Sequence, residues 1–502
     1  MRLNKNAGLL MHVTSLPSPY GVGDMRAATE YLLPFLKETE QYFWQILPLH
    51  PVGYGESPYQ SFSAFAGNEL WISPDELLAE GLVTPELIKH KPDFQKDYLE
   101  FNTVREWKSG LFKKAFQEFQ RRPIPAEYEQ FHQKNNHWLL DYCRFAVIKE
   151  MHQQKPWHEW PEALRSRNGE SLLSIDTEMK EQLAYVAFLQ YLFWGQWQKM
   201  QRRYKQSGIQ IIGDLPIFVA HDSADVWANQ HLFQLNSKGV PTVVAGVPPD
   251  YFSKTGQRWG NPHYQWNRMA KTDFSWWRQR IQHLLECVDI IRIDHFRGFE
   301  AYWEIDASEP TAVKGRWVKA PGEALFHSLE KHLGLLPFIA EDLGVITPEV
   351  EALKKQFGFP GMKILQFSFN RKLKRKERPA HYEKNTFAYT GTHDNDTLAG
   401  WVADRARTDH GIRQNLKHYH HINAAGSIDE ACRQLIVLLL NTNAGAVIIP
   451  MQDYLCLGTE ARMNYPGTIG KNNWRWRCDP AHFRDPSLMQ WILKQVRDSQ
   501  RS

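Results

Sequence analysis

The sequence has little cysteine, no sustained apolar run and almost no excess charge of either sign, and each shortage removes a class of protein. Five cysteines (Cys143, Cys287, Cys432, Cys456 and Cys478) are scattered through 502 residues, odd in number and without a C-x-x-C pair. A disulfide framework and a cysteine-ligated zinc site are both excluded by that spacing, and sparing cysteine use suits a reducing cytoplasm. Apolar stretches such as Leu435–Leu440 are far too short to span a bilayer, so no membrane association is expected. The opening residues Met1–Asn6 lack the apolar core of a secretory signal. With 60 Lys and Arg against 56 Asp and Glu, the formal charge of +4 is too small to mark a nucleic-acid partner.

Aromatic residues, by contrast, are abundant. Nineteen Trp, 19 Tyr and 27 Phe make up 13% of the chain. Such an excess ordinarily fills core volume; its other use is as flat platforms for the apolar faces of ligands.

Short apolar runs that end in polar or acidic residues recur along the chain, separated by helical stretches. They are Gly8–Met11, Phe43–Leu49, Ile209–Asp214, Val288–Asp294, Phe338–Asp342, Lys363–Phe367, Phe387–Thr390 and Ala446–Pro450. Helix and strand in alternation mean parallel pairing, and eight strands is what a closed barrel needs. The intervening helices carry end signals: Ser73-Pro74-Asp75-Glu76 reads as a capping box with Gly81 as the stop, and Thr347-Pro348-Glu349 opens a helix that ends before Gly358. Residues 182–203 carry Tyr185, Phe188, Leu189, Leu192 and Trp197 at helical spacing.

The expected fold is therefore α/β, a (β/α)8 TIM barrel with large, mostly helical insertions between barrel strands. The distance from Leu49 to Ile209 is far beyond an ordinary crossover, so residues 73–181 are read as an inserted helical subdomain. Residues 227–277 are read as an inserted loop and helix segment, and 304–335 as a smaller insertion. The polar end, 497–502, is expected to fray. An open doubly wound sheet is the competing architecture, but no Gly-rich dinucleotide fingerprint follows the first strand.

Barrel enzymes place their chemistry at the C-terminal ends of the strands. There this sequence puts Asp214, Asp294 with His295, Glu341 with Asp342, and His393 with Asp394. One acid after a strand is ordinarily a helix cap or turn residue, and Asp222, Asp342 and Asp396 are left with that reading. Acids at several independent strand ends on one rim call for chemistry. A divalent-metal site would use such acids with His221-Asp222 or His393-Asp394, but no paired-ligand motif on a helix accompanies them. Glycoside cleavage needs two carboxylates, about 5 Å apart for retention, and pyranose faces stack on Trp and Tyr.

At these residues the chain resembles a known family. Ser15-Leu16-Pro17-Ser18-Pro19-Tyr20-Gly21, Leu47-Pro48-Leu49 with Gly53-Tyr54-Gly55-Glu56-Ser57-Pro58-Tyr59-Gln60-Ser61, Gly213-Asp214-Leu215-Pro216, Arg292-Ile293-Asp294-His295-Phe296-Arg297-Gly298, Ala340-Glu341-Asp342-Leu343-Gly344 and Gly391-Thr392-His393-Asp394 are similar to blocks of the amylomaltases, the 4-alpha-glucanotransferases of the alpha-amylase clan. The likeness runs from Gly8 to Trp476. It implies a TIM barrel and a retaining double displacement on alpha-1,4-glucans (maltooligosaccharides, amylose), with glucose or a glucan as acceptor, no metal and no cofactor.

By the same resemblance, Asp294 is the expected nucleophile, Glu341 the general acid/base and Asp394 the carboxylate that holds and distorts the sugar. Arg292, two residues before Asp294 on a strand, faces the same side and would keep the nucleophile ionised. Asp214, His295 and His393 are expected to bond the same sugar ring, Tyr59 to stack on it, and Ser57 to line the site. Residues 245–260 resemble a loop over the cleft in which Tyr251, Phe252 and Trp259 grip glucan; the alternative is a packed Ω-type loop with those rings turned inward. Tyr54 resembles part of an outer glucan site, and Asn464 is expected on the acceptor side; their alternatives are a surface residue and a turn residue. Glu56, His50 and Val13 depart from the usual Asp, Gly and Pro, which bears on acceptor preference and leaves the carboxylates intact. A hydrolytic amylase, a branching or debranching enzyme and a non-catalytic glucan-binding protein remain as rivals at this point.

Overall fold

The computed structural model describes residues 3–249, 253–369, 375–470 and 472–501, apart from the Tyr419 side chain. From the N-terminus the strands are β1 (Asn6–Leu10), β2 (Phe43–Gln45), β3 (Gln210–Pro216), β4 (Val243–Val247), β5 (Gln257–Pro262) and β6 (Ile290–Asp294). They are followed by β7 (Ala301–Asp306), β8 (Arg316–Lys319), β9 (Phe338–Ala340), β10 (Gly361–Ile364), β11 (Thr386–Tyr389) and β12 (Ala446–Pro450).

Eight of these strands form one parallel sheet in the order β10-β11-β12-β1-β2-β3-β6-β9. The two ends of that order meet where Ala340 N–H donates to the Pro360 carbonyl at 2.9 Å, bringing β9 against β10. These are the eight expected strands, and the architecture is a nearly closed (β/α)8 barrel. Strands buried on both faces read as unbroken apolar runs, and all five residues of β12 are buried accordingly.

The helix Lys180–Gln206 seals the outside of β2 and β3. Its Tyr204 ring stacks on Trp44 at 4.9 Å, its Tyr204 hydroxyl donates to Ala28 O at 2.7 Å, and Trp197 Nε1 donates to Cys287 O at 2.9 Å. Trp44, Trp71, Trp157, Trp160, Trp197, Trp227 and Trp277 are among the largest fully buried side chains, so most of the aromatic excess is core volume.

Three expectations are corrected. Residues 227–277, read as loop and helix, contain β4 and β5, which join β7 and β8 in a four-stranded antiparallel sheet of order β5-β4-β7-β8. Residues 497–501 are not frayed, and Ser502 lies outside the described residues: the helix Pro486–Asp498 runs through Arg497, and Arg501 is fully buried with its guanidinium on the carbonyls of Leu440, Thr442 and Ala444 at 2.6–2.9 Å. Ser73 does precede the helix Pro74–Ala79, but its side chain makes no cap bond; its N–H instead donates to Gln196 Oε1 at 2.7 Å.

Candidate active site

The rim over β3, β6 and β9 is built by strand register. Asp214 pairs directly with Arg292 across β3 and β6, and Ile293 pairs with Ala340 across β6 and β9. Asp294 closes β6 and Glu341 directly follows β9, so the two come to neighbouring positions whose backbones are one strand spacing, ~4.8 Å, apart. The backbone knits them further: His295 N–H donates to Glu341 Oε2 at 2.8 Å and Leu343 N–H to Oε1 at 2.9 Å. To reach Glu341, His295 adopts φ 52°, the left-handed region that side chains other than glycine rarely occupy and that is concentrated at functional sites.

Arg292 lies under this rim with its side chain only 5% exposed. Its Nη1 is 2.7 Å from both Asp214 oxygens, and its Nη2 is 3.1 Å from Asp294 Oδ1. The Tyr59 hydroxyl donates to Asp214 Oδ2 at 2.7 Å, and the Tyr59 ring stacks on His393 at 4.9 Å.

Asp394 arrives on the segment after β11. Asp453, just beyond β12, braces both ends of that segment, accepting from Thr390 Oγ1 at 2.5 Å and Leu398 N at 2.7 Å. Asn464 Nδ2 donates to Asp394 Oδ1 at 2.7 Å, and His393 Nε2 lies 3.4 Å from Asp394 Oδ2.

Burial acts on both central carboxylates, and the Arg292 guanidinium opposes it at each. Burial, with the charge of Asp294 adding to it and Arg292 opposing it, raises Glu341 to about 7. A carboxyl at that value holds a proton near neutral pH, as a general acid must. Burial also raises Asp294, with the charge of Asp394 adding to the rise and the guanidinium at 3.1 Å and its hydrogen bond working against it. Burial lowers His295 to about 4 and lowers His393 as well, which leaves both imidazoles neutral as hydrogen-bonding groups. The Nε2 of His295 is buried and has no hydrogen-bond partner among the described residues.

Asp214, Arg292, Asp294, His295, Glu341, His393, Asp394, Tyr59 and Asn464 are thus brought together. Trp259 joins them, with its ring edge-to-face on His295 at 5.0 Å, but it sits on β5: Ala245–Val247 and Gln257–Gly260 are strand residues rather than a continuous loop. Tyr251 and Phe252 lie outside the described residues. Ser57 works locally, its Oγ accepting from Tyr59 N–H at 3.2 Å to shape the turn that presents the ring. Tyr54 stands apart at 74% exposure.

Glu56 is ion-paired with Arg105, and His50 is buried with Nδ1 2.9 Å from Ala66 O. Asp222 and Asp342 hold structure, the first taking Lys149 Nζ at 2.5 Å and the second Met362 N–H at 2.7 Å. His221 faces the Gly239 carbonyl at 2.7 Å, away from the rim. Among the described residues no group of three or more His, Cys, Asp or Glu is arranged to hold a metal ion.

Sequence reasoning missed His12, Trp474, Asp453 and Arg462. His12 stands at the end of β1, accepts from Leu47 N–H at 3.3 Å, and has its pKa lowered to about 3, first by burial and then by the neighbouring His393. It was open to the same strand-end argument that picked out the acids. Trp474 is buried 5.8 Å from the His393 ring, and only the folded chain brings it there.

A family model described as 4-alpha-glucanotransferase matches residues 11–482. A 4-alpha-glucanotransferase of Thermus thermophilus is 46% identical over 489 residues, covering 96% of each chain. One from Synechocystis is 44% identical over 95% of each. The solved amylomaltase from Streptococcus agalactiae, in complex with acarbose, is 36% identical and superposes with a TM-score of 0.94 over 100% of both chains. The amylomaltase from Corynebacterium glutamicum shares the fold at 20% identity and a TM-score of 0.80, over 100% of this chain and 77% of that one.

Proposed function

Since this chain belongs to the 4-alpha-glucanotransferase family, we propose that the residues on its barrel rim carry the transfer in the following roles. The enzyme moves alpha-1,4-glucan segments from a donor to an acceptor through a covalent glycosyl-enzyme intermediate. Glu341 protonates the scissile glycosidic oxygen as Asp294 attacks the anomeric carbon, and the shortened glucan leaves. Glu341, now a carboxylate, takes the proton from the 4-hydroxyl of the incoming glucan or glucose, whose oxygen displaces Asp294 with overall retention.

The observation that carries this reading is that Asp294 and Glu341 each come one residue after the Ile293–Ala340 pair of adjacent parallel strands, with the Arg292 guanidinium 3.1 Å from Asp294 Oδ1. Asp214 holds Arg292, Asp394 and His393 hold hydroxyls of the reacting sugar, Tyr59 offers it a flat face, and Asn464 stands on the acceptor side. The unpartnered His295 Nε2 suits a sugar hydroxyl. Tyr54 and Trp259 are assigned to outer and cleft-covering contacts with glucan. The cytoplasm is the compartment this reading assigns, supported by five cysteines that are all free thiols. No helix among the described residues is long and apolar enough to cross a membrane.

The test is the product pattern from maltotriose alone, without added metal. Glucose together with maltodextrins longer than maltotriose is expected. Glucose and maltose with nothing longer would make the protein a hydrolase. An Asp294→Asn variant that transfers at the wild-type rate would remove the nucleophile assignment.

A further inference from the structure

Asp394 is held differently from the other two carboxylates. Its side chain is 49% exposed, and besides the adjacent His393 the groups that grip it come from the segment after β12. Arg462 Nη2 donates to the Asp394 carbonyl at 2.5 Å, and Nε of the same guanidinium donates to the Asn464 carbonyl at 2.8 Å. Asn464 returns two bonds, from Nδ2 to Asp394 Oδ1 at 2.7 Å and from its N–H to the His393 carbonyl at 3.1 Å. The guanidinium also lies 4.6 Å from the Tyr465 ring, which supports its plane. One rigid fork therefore fixes both partners of the Asn464–Asp394 pair, a task for which an ammonium lacks the geometry.

Past Asn464 the chain comes to the surface and approaches Gly55. Pro466 to Gly470 are exposed, and Ile469 Cγ2 comes within 3.5 Å of where a Cβ on Gly55 would sit, beside Tyr54. The segment that aligns Asp394 thus also borders the outer part of the cleft, where an acceptor would lie.

We infer that Arg462 is a positioning residue for acceptor-dependent transfer: it locks Asp394 to the segment 462–470, so that the sugar held by Asp394 and an acceptor seated against that segment are aligned as one unit. Arg462 itself touches neither sugar. The inference rests on reading Asp394 as the sugar-holding carboxylate.

The test compares Arg462→Ala, Arg462→Lys and Asp394→Asn with the wild type, using maltotriose as donor and labelled glucose as acceptor. Transfer into the label and capture by water are measured together, and thermal melting is followed in parallel. For Arg462→Ala the expected result is transfer kcat down by about ten-fold or more, a raised KM for glucose and a larger share of hydrolysis, as misplacement of a reacting geometry produces. Lysine is expected to restore little, and added guanidinium ion at low millimolar concentration to restore part of the transfer.

A wild-type glucose KM and wild-type partition in Arg462→Ala, or an Arg462→Lys enzyme equal to wild type, would overturn the inference. If the alanine variant does not fold, the lysine variant, which keeps the charge, decides alone by the same two readouts. Should Asp394→Asn keep wild-type transfer, the reading of Asp394 itself fails. Should Asp394→Asn be inactive while Arg462→Ala keeps its partition, the inference alone fails.

Discussion

Asp214 and Arg292 face each other in direct register across β3 and β6, and both Asp214 oxygens lie 2.7 Å from Arg292 Nη1. The Asp214 side chain is wholly buried, so this pair anchors the guanidinium and leaves Nη2 directed at Asp294. A lysine cannot hold Asp214 with one nitrogen and reach Asp294 with another. Arg292→Lys should therefore lower kcat by about 10²–10³-fold, the size of effect seen when a preorganised charge is lost. Arg292 is also the main influence opposing the rise of Asp294, so the acidic limb of kcat/KM should move to higher pH. A pH profile of the variant checks this, and an unmoved acidic limb would show that Arg292 does not tune the nucleophile.

The raised carboxyl of Glu341 fixes the other limb. Activity should fall as pH rises through about 7, where the general acid loses its proton. Stability follows the same proton. The folded value lies above the unfolded one, so the folded state binds more protons; that stabilisation is full below the unfolded value of 4.5 and is lost as pH rises through about 7. Glu341→Gln removes the effect. Its melting temperature relative to wild type should climb between pH 5 and pH 8, by the equivalent of roughly 2–3 kcal/mol for a shift of this size. Calorimetry at the two pH values measures it, and a pH-independent difference would place the shift elsewhere.

How much of this was legible in the sequence depends on which atoms do the work. The eight barrel strands were legible because burial on both faces leaves continuous apolar runs, and the acids that end them mark the rim. That pattern marks Asp214, Asp294, Glu341, Asp342 and Asp394 alike, and it is the resemblance to the amylomaltases that tells Asp294 and Glu341 apart from the rest. The small sheet was not legible: β5, Gln-Arg-Trp-Gly-Asn-Pro, has neither an apolar run nor a period of two, and antiparallel pairing with β4 creates the strand. Arg462 and Arg501 were invisible for another reason. Their partners are backbone carbonyls, which have no residue identity to read.

Arg501 offers a test of stability far from the rim. Fully buried, it satisfies three carbonyls in the stretch that leads from the helix Ile428–Leu440 into β12, while its own carbonyl accepts from Ala7 N–H at 3.1 Å beside β1. The C-terminus thus fastens the β12–β1 junction. Arg501→Ala strands those carbonyls and should cost on the order of 2–4 kcal/mol. Urea denaturation of the variant reads this directly. A midpoint equal to that of wild type would mean that water replaces the guanidinium without loss.

Tyr59 has two separable functions, and two substitutions distinguish them. Its hydroxyl donates to Asp214, and its ring stacks on His393 and lies 6.0 Å from Trp474. Tyr59→Phe keeps the ring and leaves a buried carboxylate oxygen one donor short, a loss of about 1–2 kcal/mol, or roughly ten-fold in kcat/KM. Tyr59→Ala removes the platform as well. If a sugar face rests on the ring, the alanine variant should lose at least ten-fold more than the phenylalanine variant, because stacking area and the support of His393 disappear together. Steady-state disproportionation of maltotriose by the two variants gives the comparison. Equal losses would mean that the hydroxyl, through Asp214 and Arg292, accounts for the whole contribution and that the ring serves only to place it.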